Sequence, residues 1–173
     1  MAESAVEAGQ KGPRKAALAF ILFTLFLDVL ALGVIIPVLP RLILEFEGGS
    51  MRDATIYGGY IATAFAVMQF LFQPVLGALS DRYGRRPVLL FSMAGLGIDY
   101  IIMALAPNMW WLLAGRIASG IAASTFSVAN AYVADVTSPE GRAQAYGMMG
   151  AAFGIGFVLG PTLGGVIGAI DPR

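Results

Sequence analysis

The sequence predicts an all-α membrane protein with five transmembrane helices, and three observations predict it. Hydrophobic residues make up 58% of the chain and charged residues only 13%, about half the roughly 25% of a soluble domain. The mean hydropathy is +0.77. The apolar residues gather into five long stretches, 16–40, 57–80, 88–106, 110–134 and 146–170. Each is near or above the roughly 20 residues that a helix needs to cross about 30 Å of hydrocarbon. A soluble chain of 173 residues could not cover so much apolar surface.

Cys and His are both absent. That excludes disulfides, Cys/His zinc sites and imidazole acid–base chemistry, so any proton handling falls to carboxylates. The net charge of zero argues against a nucleic-acid partner or a basic surface-binding role. No nucleophile–base pair, phosphate loop or metal-ligand cluster appears, so an enzyme is not expected.

Residues 1–15 are polar and read as a disordered cytoplasmic tail; residues 16–173 read as one transmembrane bundle. The first stretch carries Asp28 about twelve residues from each of its ends. It is too long, and its acid too central, for a cleaved signal peptide. Basic residues set the orientation. Lys11, Arg14 and Lys15 precede the first helix, Arg82, Arg85 and Arg86 follow the second, and Arg142 follows the fourth. On the other side, Arg41 and Arg52 sit among Glu45, Glu47 and Asp53, and the second outer turn, 107–109, has no charge. The positive-inside rule then places the amino terminus in the cytoplasm.

The fourth and fifth stretches carry small residues at four-residue spacing. The fourth has Gly115, Ser119, Ala123, Ser127 and Ala131; the fifth has Gly156, Gly160, Gly164 and Gly168, preceded by Gly150 and Gly154. Such ladders let helix backbones approach closely in lipid. Pro161 lies inside the second ladder and permits a bend, which goes beyond what packing alone requires.

Charges within the spans are the strongest functional signal. Asp28, Asp99 and Arg116 each cost about 2.5–3.5 kcal/mol at a helix centre by insertion scales, so they are expected to face the bundle interior or a water-filled cavity. Asp99 lies nine residues before Asn108 and Arg116 eight after it. At 1.5 Å per residue both fall roughly 12–14 Å below the turn, so they are expected to pair across the hairpin. Gln69, Gln73 and Asn130 add neutral polar groups, read as hydrogen-bonding between helices.

The turn between the second and third helices runs from Gly77 to Pro87 and contains Asp81, Arg82, Gly84, Arg85 and Arg86. Asp81 ends one helix and the arginines begin the next, each at the end its helix dipole disfavours. The turn therefore needs a partner from outside, and Asp135 at the end of the fourth stretch is the candidate. Gly84 suits the tight turn, and Pro87 suits the first position of a helix.

The stretch GALSDRYGRRPVLL, from Gly77, resembles the long signature between helices two and three of the major facilitator superfamily. GRIASGIAAS, from Gly115, resembles the arginine-bearing motif of its helix four. GFVLGPTLGG, from Gly156, resembles its antiporter motif of helix five, here Gly156, Gly160, Pro161, Gly164 and Gly165. LDVLALGVIIPVLPRL and GIDYIIMALAP are similar to the drug/proton antiporter branch that exports tetracycline. The resemblance covers roughly residues 16 to 173.

The resemblance implies five helices of an amino-terminal six-helix half and alternating access between two such halves. It implies a proton and substrate pathway through Asp28, Asp99, Arg116 and Gln69. It implies a cytoplasmic gate in which Asp81 reaches the other half, and Arg85 or Arg86 joins it to Asp135. The fifth helix would shape the interface between halves and limit proton leakage. The implied activity is export of a drug, tetracycline as a metal complex, across the inner (cytoplasmic) membrane in exchange for protons, conferring antibiotic resistance. No cofactor is implied beyond the coupling proton, and a divalent metal enters only with the substrate. The expected partners are the lipid bilayer, a small-molecule drug, protons and the carboxy-terminal half of the transporter. Members of the family have twelve or more helices, so the chain is expected to be a fragment, with residues 171–173 entering a further helix. The alternatives are a carrier of another drug, a sugar or a metabolite, or a truncated membrane protein that transports nothing.

Overall fold

The computed structural model describes residues 2–123 and 125–170, with side chains described for 16–123 and 125–169. Six α-helices follow in order: α1 Ala2–Glu47, α2 Met51–Tyr83, α3 Arg85–Ala104, α4 Met109–Ala122, α5 Thr125–Val136 and, after a 3₁₀ turn at Pro139–Gly141, α6 Arg142–Ile170. Five spans are long and apolar enough to cross a membrane: Ala16–Glu47, Met51–Tyr83, Arg85–Ala104, Met109–Val136 and Pro139–Ala169. The expected all-α membrane fold is the observed one. The tail expected over residues 1–15 lies outside the described side chains, although the helix is drawn from Ala2; residues 171–173 lie outside the described residues altogether.

Helix ends differ from the sequence expectation in ways their local chemistry explains. The first helix does not stop at Pro40 but runs on to Glu47, through both Pro37 and Pro40. The outer loop shrinks to Gly48, Gly49 and Ser50, and the two glycines adopt positive φ of 66° and 81°, which side chains resist. Ser50 then starts α2 with a capping box: its Oγ accepts from the Asp53 N–H at 3.2 Å, and Asp53 Oδ2 accepts from the Ser50 N–H at 3.3 Å. Asp53, expected as a loop charge, is therefore a helix cap. Gly84 alone joins α2 to α3, at φ 95°. Pro87 falls in the third position of α3 rather than the first; the first-turn N–H groups have no intrahelical partner, so proline is tolerated there. Asn108 opens α4 by accepting from the Trp110 and Trp111 N–H groups at 3.1 and 3.3 Å.

The fourth span is broken, where the sequence suggested one helix over 110–134. Ala123 is extended (ψ 91°), closing α4, and α5 begins at Thr125. The run of small and hydroxyl-bearing residues at the break holds the helix weakly, because hydroxyls compete for backbone groups.

Two buried apolar clusters stabilise the bundle. One holds Ile21, Leu25, Val29, Leu89, Val128 and Val133, toward the end bearing the α2–α3 turn. The other holds Ile35, Leu42, Ile43, Ile61, Met103 and Leu112, toward the opposite end. In the third and fourth spans the charged residues fall where one cluster gives way to the other, Asp99 between Leu89 and Met103 and Arg116 between Leu112 and Val128, whereas Asp28 lies between Leu25 and Val29 of the first cluster.

The most extensive helix pairing is α1 against α6. Gly156, Gly160, Gly164 and Gly168 all face α1, and Gly33 answers from α1 itself. A Cβ on Gly160 would lie 2.6 Å from the Leu30 carbonyl oxygen, and one on Gly33 would lie 2.8 Å from Pro161 Cδ. The ladder is thus a backbone-to-backbone seam, and packing accounts for four of its six glycines. Gly150 and Gly154, like Gly165, have nothing within 4 Å of where a Cβ would sit. Arg41 closes the far end of the seam, donating to the Gly168 carbonyl at 2.6 Å.

Candidate functional site

Two groups of predicted residues assemble, one in the bundle interior and one at the α2–α3 turn. In the interior, Asp99 of α3 and Arg116 of α4 form an ion pair and are only 2% and 3% exposed. The equal-depth argument from the hairpin therefore holds. Gly115 makes room for it, because a Cβ there would lie 2.7 Å from Asp99 Oδ1. The Arg116 guanidinium also lies over two rings, 5.3 Å from the Phe65 centroid and 5.8 Å from that of Tyr100. Two aromatic faces and one carboxylate surround the cation, which offsets part of its desolvation. The pair is not fully satisfied: Asp99 Oδ1 and Arg116 Nε are buried without a hydrogen bond among the described residues, as is the Tyr100 hydroxyl.

Asp28 is half-buried on α1. Its Oδ1 accepts from the Thr125 hydroxyl at 3.2 Å. Thr125 is the first residue of α5 and 3% exposed, so the break in the fourth span delivers a donor to Asp28. The positive end of the α5 dipole lies on the same side.

Of the neutral polar residues, Asn130 behaves differently from expectation. Asn130 Nδ2 donates to the Phe126 carbonyl of its own helix at 2.8 Å rather than across to another. Gln69 is half-buried on α2. Gln73 lines an open groove of about 510 Å³ with Phe70, Pro74 and Ser127. A second groove, about 340 Å³, lies between α5 and α6 and is lined by Phe126, Asn130, Tyr146 and Phe153. Phe126 and Phe153 meet edge to face at 6.2 Å, and Phe153 stacks on Phe157 at 6.0 Å.

At the turn, Arg85 is the hub. It pairs with Asp81 one helical turn away across Gly84, and with Asp135 at the end of α5, where Nε lies 2.9 Å from Oδ2. Its Nη1 donates to Ser80 Oγ at 2.7 Å, and Ser80 in turn donates to the Gly77 carbonyl at 2.7 Å. The outside partner that the helix dipoles demanded is Asp135, and Arg85 rather than Arg86 takes it. Arg86 instead lies over the Phe20 ring at 5.3 Å, and Arg82 over Tyr83 at 5.5 Å. Asp81 keeps a side-chain exposure of 64%. Arg142 donates to the Ala134 carbonyl at 3.1 Å and so ties the end of α5 to the start of α6.

Sequence reasoning missed Ser80, Tyr100, Thr125 and Phe65. Tyr100 had a signal, a phenol adjacent to an intramembrane acid. Thr125 had none, since its role depends on a break that the hydropathy pattern does not mark. Among the described residues no group of three His, Cys, Asp or Glu side chains could hold a metal.

Comparison with known proteins places this arrangement. The family model for the Major Facilitator Superfamily matches residues 21–172. The chain is 53% identical to the class C tetracycline resistance protein of Escherichia coli, over 90% of this chain and 39% of that one. It is 43% identical to the class B protein of Escherichia coli, over 85% of this chain and 36% of the relative. A crystal structure of the human organic anion transporter MFSD10 (TETRAN) superposes with a TM-score of 0.79 at 32% identity, over 89% of this chain and 42% of that one. The chain thus spans about two fifths of the length of the curated relatives it matches. On the matched model and these likenesses, the chain belongs to the major facilitator superfamily.

Proposed function

We propose that this chain is the amino-terminal part of a proton-coupled antiporter that exports a drug by alternating access, with tetracycline as a metal complex the favoured substrate. The observation that carries the proposal is the buried Asp99–Arg116 pair in the bundle interior, together with Asp28, which accepts from the Thr125 hydroxyl. Ionisable side chains at membrane depth are costly and belong to ion or substrate pathways. The likeness to tetracycline resistance proteins supplies the substrate class.

In this reading Asp28 and Asp99 carry the exchanged proton, and Gln69 lines the route. The Arg85 network with Asp81 and Asp135 holds the cytoplasmic side closed when the site faces outward. Asp81, with most of its surface free, has room to meet the second half of the transporter. The α1–α6 seam keeps two helices moving as one body and leaves no water path between them. The amino terminus lies in the cytoplasm, following the positive-inside bias.

Inside-out vesicles containing the complete gene product test this. With an acid-inside proton gradient, labelled tetracycline with magnesium is expected to accumulate, and a protonophore to abolish the accumulation. A second reading, a carrier of organic anions, is favoured by the structural likeness to the human organic anion transporter. Uptake of an organic anion with no uptake of tetracycline would select it.

A further inference from the structure

Two interruptions of otherwise regular helices meet at one groove. Pro74 stands inside α2, and a proline has no N–H, so the Phe70 carbonyl four residues back loses its helical donor. On the other wall, Ser127 belongs to the first turn of α5, just after the break at Ala123. Phe70, Gln73, Pro74 and Ser127 line one cavity of about 510 Å³ with Leu71 and Gly77. Neither the Gln73 amide nor the Ser127 hydroxyl has a hydrogen-bond partner among the described residues. Gly77 keeps the wall open, with nothing within 4 Å of where a Cβ would sit. The two walls agree in depth. Gln73 lies eight residues before Asp81, and Ser127 eight before Asp135, roughly 12 Å into the span from each acid. Arg85 bridges those two acids, so the groove lies on the membrane side of the α2–α3 turn network, between helices whose ends that network joins. Hydrocarbon supplies no hydrogen bonds, and a freed backbone carbonyl at such depth is tolerated where it is buried in protein or lines a cavity.

We propose that this groove is an entry subsite for the drug, holding the uncharged face of a ring-bearing compound through the Gln73 amide, the Ser127 hydroxyl and the Phe70 carbonyl. The inference rests on the export reading above and adds where the drug is first held. The walls set the class of ligand. None of the six lining residues is charged, so the groove offers neutral donors and acceptors and gives an ionised group no counter-charge. Phe70 is 76% exposed and supplies an aromatic face on which a flat ring can stack. The cavity of about 510 Å³ falls within the roughly 300–1,000 Å³ of small-molecule sites. A drug of fused rings bearing hydroxyl, keto and amide groups meets all of these demands. A phosphate or a carboxylate would lack a cation here. An acyl chain or an apolar helix would leave the amide, the hydroxyl and the carbonyl without partners, which is costly away from water.

The test uses the complete gene product, with any cysteine outside these 173 residues replaced by serine. Binding of labelled tetracycline with magnesium is measured at equilibrium in detergent. Gln73→Leu keeps the bulk and removes the amide. Its dissociation constant is expected to rise about three- to tenfold, the scale of one net hydrogen bond, with the melting temperature unchanged, and Gln73→Asn is expected to recover part of the loss. Ser127→Cys gives a second readout. A maleimide is expected to label it, and tetracycline with magnesium at ten times its dissociation constant to slow that labelling about tenfold by occupancy. Labelling of Ser138→Cys, outside the groove, should not change. No reaction at Ser127→Cys without drug would show the groove filled by another part of the protein. Reaction at a rate the drug does not alter would leave the groove to lipid or water. Either result, or unchanged binding in Gln73→Leu, would overturn the subsite. Absence of tetracycline binding by the unmutated protein would instead overturn the export reading, and the subsite with it.

Discussion

At Arg85 one guanidinium serves three partners, and that concentration decides what mutations there should do. The pairs with Asp81 and Asp135 are exposed, with 64% and 54% of the acid side chains accessible. Exposed ion pairs are worth only about 0–1 kcal/mol. Asp81→Asn is therefore expected to leave insertion, expression and melting temperature nearly unchanged while nearly abolishing transport, because its proposed role is in gating. Transport at the parent rate, measured beside the thermal melt, would remove Asp81 from the gate. The interior pair sits at the opposite limit. Removing one partner of a buried pair strands a charge and costs about 3–5 kcal/mol. Asp99→Asn and Arg116→Gln are each expected to destabilise the detergent-solubilised protein strongly. The double variant should lose clearly less than the sum, since the second change removes the charge that the first left unpaired. Additive losses would mean that the contact carries no coupling.

Among the elements, the α1–α6 seam and the broken fourth span carry the most consequence. Along the seam, a Cβ on Gly164 would collide with the Val34 carbonyl, and one on Gly160 would come 2.7 Å from the Gly33 backbone. Backbone cannot step aside as a flexible side chain can. Gly160→Val is expected to cost at least the roughly 1–3 kcal/mol of ordinary overpacking, read as a lower melting temperature and reduced insertion yield. Gly154→Ala, with nothing within 4 Å of its Cβ site, is expected to be neutral or slightly stabilising, since alanine is the better helix former. If the two variants melted alike, the seam would not depend on glycine. The break at Ala123 matters differently. It leaves Thr125 as the first residue of α5, with its hydroxyl donating to Asp28.

Across the whole molecule, orientation is the open variable that charge predicts. The turn end bears Arg82, Arg85, Arg86 and Arg142, whereas the turns at the opposite end are flanked by only Arg41 and Arg52 as basic residues. These 173 residues contain no cysteine, so a single-cysteine reporter placed among them has no competing thiol within them. A membrane-impermeant thiol reagent applied to intact cells is expected to label Met51→Cys, at the end of the short outer turn, and to leave Ser138→Cys unlabelled until the cells are opened. The reverse pattern would invert the topology. Large apolar side chains also remain exposed along the bundle, among them Phe70 at 76% and Val158 at 67%. They suit a surface that meets lipid or other apolar helices.

The sequence by itself determined which segments cross the membrane, because the mean hydropathy of a stretch is a property of the chain alone and does not depend on its neighbours. It determined that Asp99 and Arg116 lie at matching depth, because helical rise converts residue count directly into distance. It also determined the need for Asp135, because the dipoles at the α2–α3 turn left Asp81 and the arginines uncompensated. Only the tertiary structure decided which way each helix is rotated. That rotation put the Gly156–Gly168 ladder against Gly33, chose Arg85 over Arg86 for Asp135, and brought the Tyr100 ring to Arg116. It alone decided the break before Thr125, which no proline or glycine at that point announces. Rotation and breaks are settled by contacts between segments far apart in the chain, and those contacts exist only once the helices have packed.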